Sequence, residues 1–244
     1  MAGNQVGETL DEMVREFLRT CRYLNEPLTR ERARVWLLQH DIRVKHFNSR
    51  LKPRVASKCP HWDVRLRILK TCMEEVIDDP TIGRPHTQLI KEVGQAIGIP
   101  TAEFDANREL PPTTIGLHIF ENIATNGSWL EGWILGALGE RIFVGTGKGS
   151  ELEKYGLCGL EEQRYQQVLG CSKDDVFFFT YHRKADAEHT ADAWAAVARY
   201  AREERLEDRV LAAAGTSIWV HRLLWDGPLG PPGLLDSFPA TSGS

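Results

Sequence analysis

The sequence predicts an all-α fold, and three features of the chain support this. Apolar residues recur at steps of three and four positions, as Leu10, Val14, Phe17 and Cys21 do near the beginning, which is the spacing of a buried helix face. The twelve prolines lie near the edges of such periodic segments, and none lies between residues 113 and 227. Sustained alternation of apolar and polar residues, which indicates a strand, is absent. We therefore expect one domain of about seven to nine helices.

Length and composition predict one domain with a short tail. The chain has 244 residues, of which 42% are hydrophobic and 26% charged, an ordinary globular composition. We assign residues 1–227 to the helical domain. Residues 228–244 are rich in Pro, Gly and Ser, a composition typical of a flexible tail.

Charge and cysteine content exclude several classes of partner. The net charge of −4 argues against nucleic acid as the main partner, and no apolar run is long enough for a membrane helix. The five cysteines include no CxxC pair, so reduced thiols and a cytoplasmic location are expected. The glycine-rich segment 145–150 lacks the spacing of a phosphate-binding loop.

The most specific pattern lies in a helix predicted over residues 173–204, with Ser172 as its N-cap. His182, Asp186 and His189 stand at positions i, i+4 and i+7, which places them on one face of this helix. Two imidazoles and a carboxylate form a set that suits ferrous iron with open coordination positions. The alternative is a solvated helix face that carries two ordinary histidines.

Two further segments carry candidate metal ligands. Glu140 follows an apolar helical run, where a buried carboxylate requires a partner or a metal. Asp79 and His86 lie on either side of a break marked by two prolines, so both can reach one site, with Glu75 one turn earlier. The alternatives are a Glu140 that pairs with Arg141 or another surface base, and ordinary groups at helix ends around residue 80. Together the three segments offer three carboxylates and three histidines, from which helical bundles build di-iron sites.

This set resembles that of the haem-oxygenase-like diiron oxidases, which share a seven-helix bundle with TenA and PqqC. The resemblance covers about residues 10–225, and the HxxxDxxH motif of the family is intact at His182, Asp186 and His189. Glu140 matches a family glutamate that follows a run of small and apolar residues. Asp79 stands where several relatives have a glutamate, and Glu75 is the alternative ligand there.

The resemblance implies an oxygenase or oxidase with two iron ions and dioxygen as co-substrate. One iron would be bound by Glu140, His86 and His182, and the other by Asp79, Asp186 and His189. The implied substrate is small and amino-acid-like, and the implied reactions are N-oxygenation and oxidative C–C or C–N cleavage in specialised metabolism. A homodimer is also consistent with the resemblance. Three alternatives stay open: a metal-free PqqC-like oxidase, a fatty-acid-decarboxylating diiron oxidase, and a helical interaction module without catalytic activity.

Three other residues are candidates for contact with a substrate, and a fourth, Lys154, is a candidate catalytic residue. Arg43 and His46, on one predicted helix, are placed to pair with a substrate carboxylate, and Trp133 to line an aromatic pocket. Lys154 resembles a lysine near the site of the aminobenzoate-forming relatives. The alternatives are surface positions for the charged residues and plain core for the tryptophan.

Overall fold

The structure is a computed structural model that describes residues 5–230, except for the side chains of residues 185–189, 191 and 192. The described residues form helices and connecting loops, without a strand. The α-helices are α1 (Gln5–Thr20), α2 (Arg22–Asn25), α3 (Arg30–His46), α4 (Lys52–Lys58), α5 (Trp62–Val76), α6 (His86–Ala96), α7 (Thr101–Ala106), α8 (Pro111–Asn126), α9 (Trp129–Val144), α10 (Glu151–Leu169), α11 (Phe177–Glu203) and α12 (Glu207–Asp226).

The all-α class is confirmed, but the helices are more numerous than the sequence predicts. The described chain has twelve α-helices because α2, α4 and α7, of four to seven residues, stand between the long ones. The periodic pattern runs through residue 24, yet the backbone leaves the helical conformation at Cys21, with ψ 121°. Periodicity records which side chains are buried and does not detect a one-residue interruption.

Helix α9 is the centre of the bundle. It packs against α1, α4, α8, α10, α11 and α12. Its first turn is fixed by Ser128 and Glu131, whose side chains and backbone amides exchange hydrogen bonds in a capping box. Gly139 allows α12 to approach closely, because a Cβ atom there would lie 2.9 Å from Nε2 of His221. The backbones of α9 and α12 are therefore close together at this point.

A single turn of π-helix, Phe47–Leu51, joins α3 to α4 without a break. Pro53 lies in the first turn of α4, next to this irregular turn. Turns of this type inside α-helices occur frequently at functional sites. Here the turn carries Phe47 and Asn48 to the wall of the main cavity described below.

Helix α11 begins later than predicted. Ser172 and Asp175 exchange the two hydrogen bonds of a cap, but these close a turn over residues 173–176, and the α-helix starts at Phe177. At the other end of the domain, a 3₁₀-helix at Gly227–Leu229 buries Leu229. Residues 231–244 of the predicted tail lie outside the described residues.

None of the helices in residues 5–230 has the length and apolar character needed to span a membrane.

Candidate metal centre

Three side chains from three different helices converge in the interior. Glu75 lies in the last turn of α5, His86 is the first residue of α6, and His182 lies in the second turn of α11. One potential ligand atom from each lies within 4.8 Å of the other two. Both histidines are buried, and the Glu75 side chain is 14% exposed. This Glu75–His86–His182 group is called the triad below.

The spacing within the triad suits a single metal ion. Oε1 of Glu75 lies 3.2 Å from Nδ1 of His86 and 4.0 Å from Nε2 of His182. Oxygen and nitrogen ligands bind a divalent transition metal at about 2.1 Å, so two ligands of one ion lie at most about 4.2 Å apart. Two imidazoles and one carboxylate are also the set that non-haem iron(II) enzymes use.

Backbone hydrogen bonding orients His182 for metal binding. Its Nδ1 lies 2.8 Å from the carbonyl oxygen of Phe178, one helical turn earlier, so Nδ1 carries the proton and donates it. The lone pair is then on Nε2, the atom that faces Glu75. Burial lowers the pKa of His182 to about 4, which keeps the ring neutral and able to ligate at neutral pH.

His86 lies between two carboxylates. Its Nε2 lies 2.9 Å from Oδ2 of Asp79, while Nδ1 faces Glu75. Asp79 also accepts hydrogen bonds from the Tyr181 hydroxyl, at 2.5 Å, and from the backbone amide of Thr81. Burial acts to raise the pKa of Asp79, but these hydrogen bonds outweigh it and hold the pKa well below its ordinary value. Asp79 therefore orients the imidazole from outside the triad, an arrangement common behind metal-bound histidines.

The electrostatics keep Glu75 ionised. Burial by itself would raise the pKa of this carboxyl, but the adjacent His86 and the nearby His182 and Lys52 lower it to about 2. The carboxylate is therefore available as a ligand across the physiological range. Asp79 was the predicted ligand and Glu75 the alternative, and the geometry places Glu75 in the triad and Asp79 behind it.

Glu140 lies next to the triad but is engaged by a lysine. It is on α9, one turn before the helix ends, and its Oε1 accepts a hydrogen bond of 3.0 Å from Nζ of Lys52. Burial acts to lower the pKa of Lys52, but Glu140 and Glu75 outweigh it and raise the pKa. An ammonium thus stands beside two carboxylates that face the same cavity.

The two remaining predicted ligands, Asp186 and His189, lie on α11 after His182, but their side chains are outside the described residues. The helix itself continues through both positions, so the i, i+4, i+7 spacing of the motif holds in the backbone.

A cavity of about 110 Å³ adjoins the triad. Glu75, His182, Glu140 and Lys52 line one part of it, and Arg43 lines another. The remaining wall is largely apolar: Val44, Phe47, Leu135, Phe143, Phe178, Leu224 and Trp225. A cavity of this size and lining suits a small organic molecule bound beside a metal.

Of the predicted substrate contacts, only Arg43 lines this cavity. His46 instead lies 3.2 Å from a carboxylate oxygen of Glu121. Trp133 lines a separate small cavity on the far side of the Lys52–Glu140 pair. The Lys154 ammonium lies 4.7 Å from the centre of the ring of its neighbour Tyr155, away from both cavities.

Sequence reasoning missed Lys52 and His40. Lys52 is separated from Glu140 by 88 positions and follows an irregular helical turn, so no local pattern indicates it. His40 stands three positions before Arg43 on α3 and contacts it. Helical spacing alone predicts this contact. The burial of His40 has no marker in the sequence.

Comparisons with known proteins agree with this geometry. A family model described as iron-containing redox enzyme matches residues 34–221, a span that contains the whole triad. No curated protein matches the chain. Among solved structures, a domain of unknown function with a haem oxygenase-like fold from Shewanella denitrificans OS217 is similar. It has a TM-score of 0.72 and 14% identity, over 99% of this chain and 96% of that one.

A second solved structure has the same fold. It is described as a TenA family transcription regulator from Silicibacter sp. TM1040, with a TM-score of 0.66 and 16% identity, over 95% of this chain and 97% of that one. At these identities the likeness concerns the fold, and it confirms the haem-oxygenase-like, TenA-like bundle.

Proposed function

Because the chain belongs to the family of iron-containing redox enzymes, we propose that it is a dioxygen-dependent, non-haem diiron oxidase or oxygenase that acts on a small, amino-acid-like substrate. The observation that carries this proposal is the triad. Haem iron takes one or two axial protein ligands, whereas two imidazoles and a carboxylate at mutual ligand spacing suit non-haem iron.

The triad would hold the first iron. His182 and His86 each direct a nitrogen toward Glu75, and each has its other nitrogen fixed, by the Phe178 carbonyl and by Asp79. A hydrogen bond to the second ring nitrogen of a metal-binding histidine increases metal affinity and selects one tautomer of the ring. Three protein ligands would leave the ion able to bind dioxygen or substrate as well.

The second iron would be held by Glu140 together with Asp186 and His189. The helical spacing that joins Asp186 and His189 to His182 supports this assignment. Glu140 must first be released from Lys52, which neutralises it in the described arrangement. When bound, the metal pair would supply dioxygen activation and electron transfer.

The protein itself would position the substrate and exclude water. The aromatic rings of Phe143 and Phe178 lie 6.4 Å and 4.3 Å from the His182 ring, so the metal side of the cavity is walled by apolar surface. Exclusion of water from such a site protects reactive species from hydrolysis. N-oxygenation and oxidative C–C or C–N cleavage are the proposed outcomes.

The test is an anaerobic Fe(II) titration, followed by rapid mixing with oxygenated buffer and a panel of amino and fatty acids. We expect two irons per chain and a transient visible absorption that one class of substrate accelerates. Full turnover in the presence of a chelator would instead support a metal-free oxidase. The absence of both iron uptake and turnover would support a helical interaction module without catalytic activity.

A matched pair of variants makes the titration specific to the triad. His182 and His221 are both buried, both have a pKa lowered to about 4 by burial, and both bond through Nδ1 to the carbonyl of the residue four positions earlier. His182→Ala should remove high-affinity iron, and His221→Ala should keep it. Equal iron binding by the two variants would contradict the assignment.

A further inference from the structure

Arg43 is a buried cation without an anionic partner in the described structure. The residue is 5% exposed, and its Nε has no hydrogen-bond partner. One of its terminal nitrogens donates to Nδ1 of His40 at 3.1 Å. No carboxylate among the described residues lies within ion-pair distance of it. A guanidinium is seldom buried in this way unless something pairs with it.

Arg32, the other buried arginine among the described residues, differs in this respect, because it pairs with Glu26. The half-buried Arg164 likewise donates to Glu161, at 2.8 Å. The protein therefore places a carboxylate against a buried guanidinium elsewhere, and Arg43 is the exception.

The groups around Arg43 stabilise it only in part. The rings of Trp36 and Trp225 lie 5.7 Å and 5.9 Å from its central carbon, at cation–π distance. His40 is not a counter-ion, because burial, Arg43 and His182 all lower its pKa and keep it neutral. Burial lowers the pKa of Arg43 itself to about 9. An anion bound beside the guanidinium would offset the free energy that burial of its charge costs.

Arg43 lines the same cavity as Glu75 and His182. Between these ends lies Phe178, whose ring is 5.9 Å from His40 and 4.3 Å from His182. The cavity thus has a cationic end, an apolar middle and a metal-binding end. Its volume of about 110 Å³, against the roughly 150 Å³ of an engineered cavity that holds benzene, favours a small ligand over a long acyl chain.

We propose that Arg43 binds the carboxylate of the substrate, and that the substrate is a small organic acid with an apolar body whose opposite end meets the metal centre. This inference rests on the proposed function and names its substrate class. One guanidinium matches the single charge of a carboxylate. Because no described acidic side chain lies beside Arg43, an amino group on the substrate belongs away from the guanidinium.

The test compares five small ligands by calorimetric titration, with tryptophan fluorescence as a second readout since Trp36 and Trp225 flank Arg43. The ligands are pentanoate, pentanamide, 2-aminopentanoate, 5-aminopentanoate and inorganic phosphate. We expect pentanoate to bind at least tenfold tighter than its amide, than the 2-amino acid and than phosphate. The 5-amino acid, whose ammonium lies away from the carboxylate, should bind tighter than the 2-amino acid.

Three variants complete the experiment. Arg43→Met should weaken the binding of pentanoate at least tenfold and change the affinity for pentanamide by less than threefold. The affinity of Arg43→Lys for pentanoate should lie between those of Arg43→Met and the wild type. Arg209→Met, which removes an exposed arginine, should change neither. If Arg43→Met does not fold, the wild-type ligand series and Arg43→Lys still decide the matter.

Measurement in both chelator-treated and anaerobic Fe(II)-loaded protein separates this inference from the proposed function. Equal affinity for acid and amide in the wild type, or for the α-amino acid and pentanoate, would overturn the assignment of Arg43 whether or not iron binds. A preserved preference for the acid in chelator, without iron uptake, would support the Arg43 site and refute the diiron enzyme.

Discussion

At the scale of single residues, the candidate site depends on His86, which has a carboxylate near each of its two ring nitrogens. Glu75 lies on the side of the triad, and Asp79 lies on the opposite side with Tyr181 behind it. The two acids are four positions apart and chemically alike, but their positions predict different roles. Glu75 would be a metal ligand, and Asp79 would hold the imidazole ring of His86 in place.

The two acids can be distinguished by substitution. Glu75→Gln should abolish iron binding at the first site, because a neutral amide is a poor replacement for a carboxylate ligand. Asp79→Asn should weaken Fe(II) binding about 10- to 100-fold without abolishing it, as other changes behind metal-bound histidines do. Anaerobic calorimetric titration measures both, with Asp78→Asn on the exposed side of the loop as control. A greater loss for Asp79→Asn than for Glu75→Gln would reverse the two assignments.

Lys52 competes with the proposed second iron for Glu140. Its ammonium neutralises Glu140 at 3.0 Å, in the region where the second iron is proposed. Removal of the ammonium in Lys52→Met should therefore tighten binding of the second Fe(II) by about tenfold or more. The first Fe(II) should change less, because Lys52 contacts Glu140 directly and acts on Glu75 only through the electrostatic field. Two-site titration under argon measures this, with Lys58→Met as control because Lys58 donates to backbone carbonyls elsewhere. A weaker second site in Lys52→Met would show that the lysine supports metal binding.

At the scale of elements, helix α10 is attached to α2 by a buried polar group. Glu161 is fully buried and pairs with Arg164, which also donates to the carbonyls of Tyr23, Leu24 and Glu26 around the end of α2. Burial raises the pKa of Glu161 to about 7, with Arg164 opposing. The carboxyl is therefore protonated in the folded state at a pH where it is ionised in the unfolded chain.

Because of this difference in protonation, the stability of the fold depends on pH. Between about pH 4.5 and 7 the folded state binds the Glu161 proton more tightly than the unfolded state, so this group stabilises less as the pH rises. Relative to Glu161→Gln, the wild type should lose about 1–3 kcal/mol of unfolding free energy between pH 5 and pH 8. Urea unfolding at several pH values measures this, with exposed Glu151→Gln as control. Parallel pH profiles for wild type and Glu161→Gln would refute a raised pKa.

At the scale of the whole molecule, the proposed ligands of one ion join two consecutive helices to a third that is about 100 positions later in the chain. The triad takes one residue each from α5, α6 and α11. An ion that binds the folded chain and not the unfolded one stabilises the fold by mass action, by about 2.7 kcal/mol at 100 times Kd. Metal binding should therefore appear in global stability as well as in activity.

Thermal unfolding under argon tests this. Fe(II) at 100 times its Kd should raise Tm by about 5–10 °C in a chain of this size. Mg²⁺, which prefers oxygen ligands, should have little effect. An unchanged Tm at saturating Fe(II), with iron demonstrably bound, would mean that the ion binds the unfolded chain equally well.

The fold was more predictable from sequence than the site. Helical periodicity and the places of the prolines are local properties, and they suffice for the all-α class and for the start of α6 at His86. The choice between Glu75 and Asp79 was open, because it depends on where α5 ends relative to α6. The pairing of Lys52 with Glu140 and the isolation of Arg43 depend on distant packing, which leaves no periodic trace.

The π-helical turn between α3 and α4 has a consequence for how this cavity can change in evolution. Arg43 precedes the turn and Lys52, beside the metal end, follows it, so the turn sets the angle between these two cationic side chains of the cavity. A π-turn holds one residue more than an α-turn, and each residue of a helix advances the side chain by about 100°. Loss of a single codon within 47–51 would therefore rotate one end of the cavity away from the other. The mutual placement of the two ends is thus encoded in chain length as well as in residue identity.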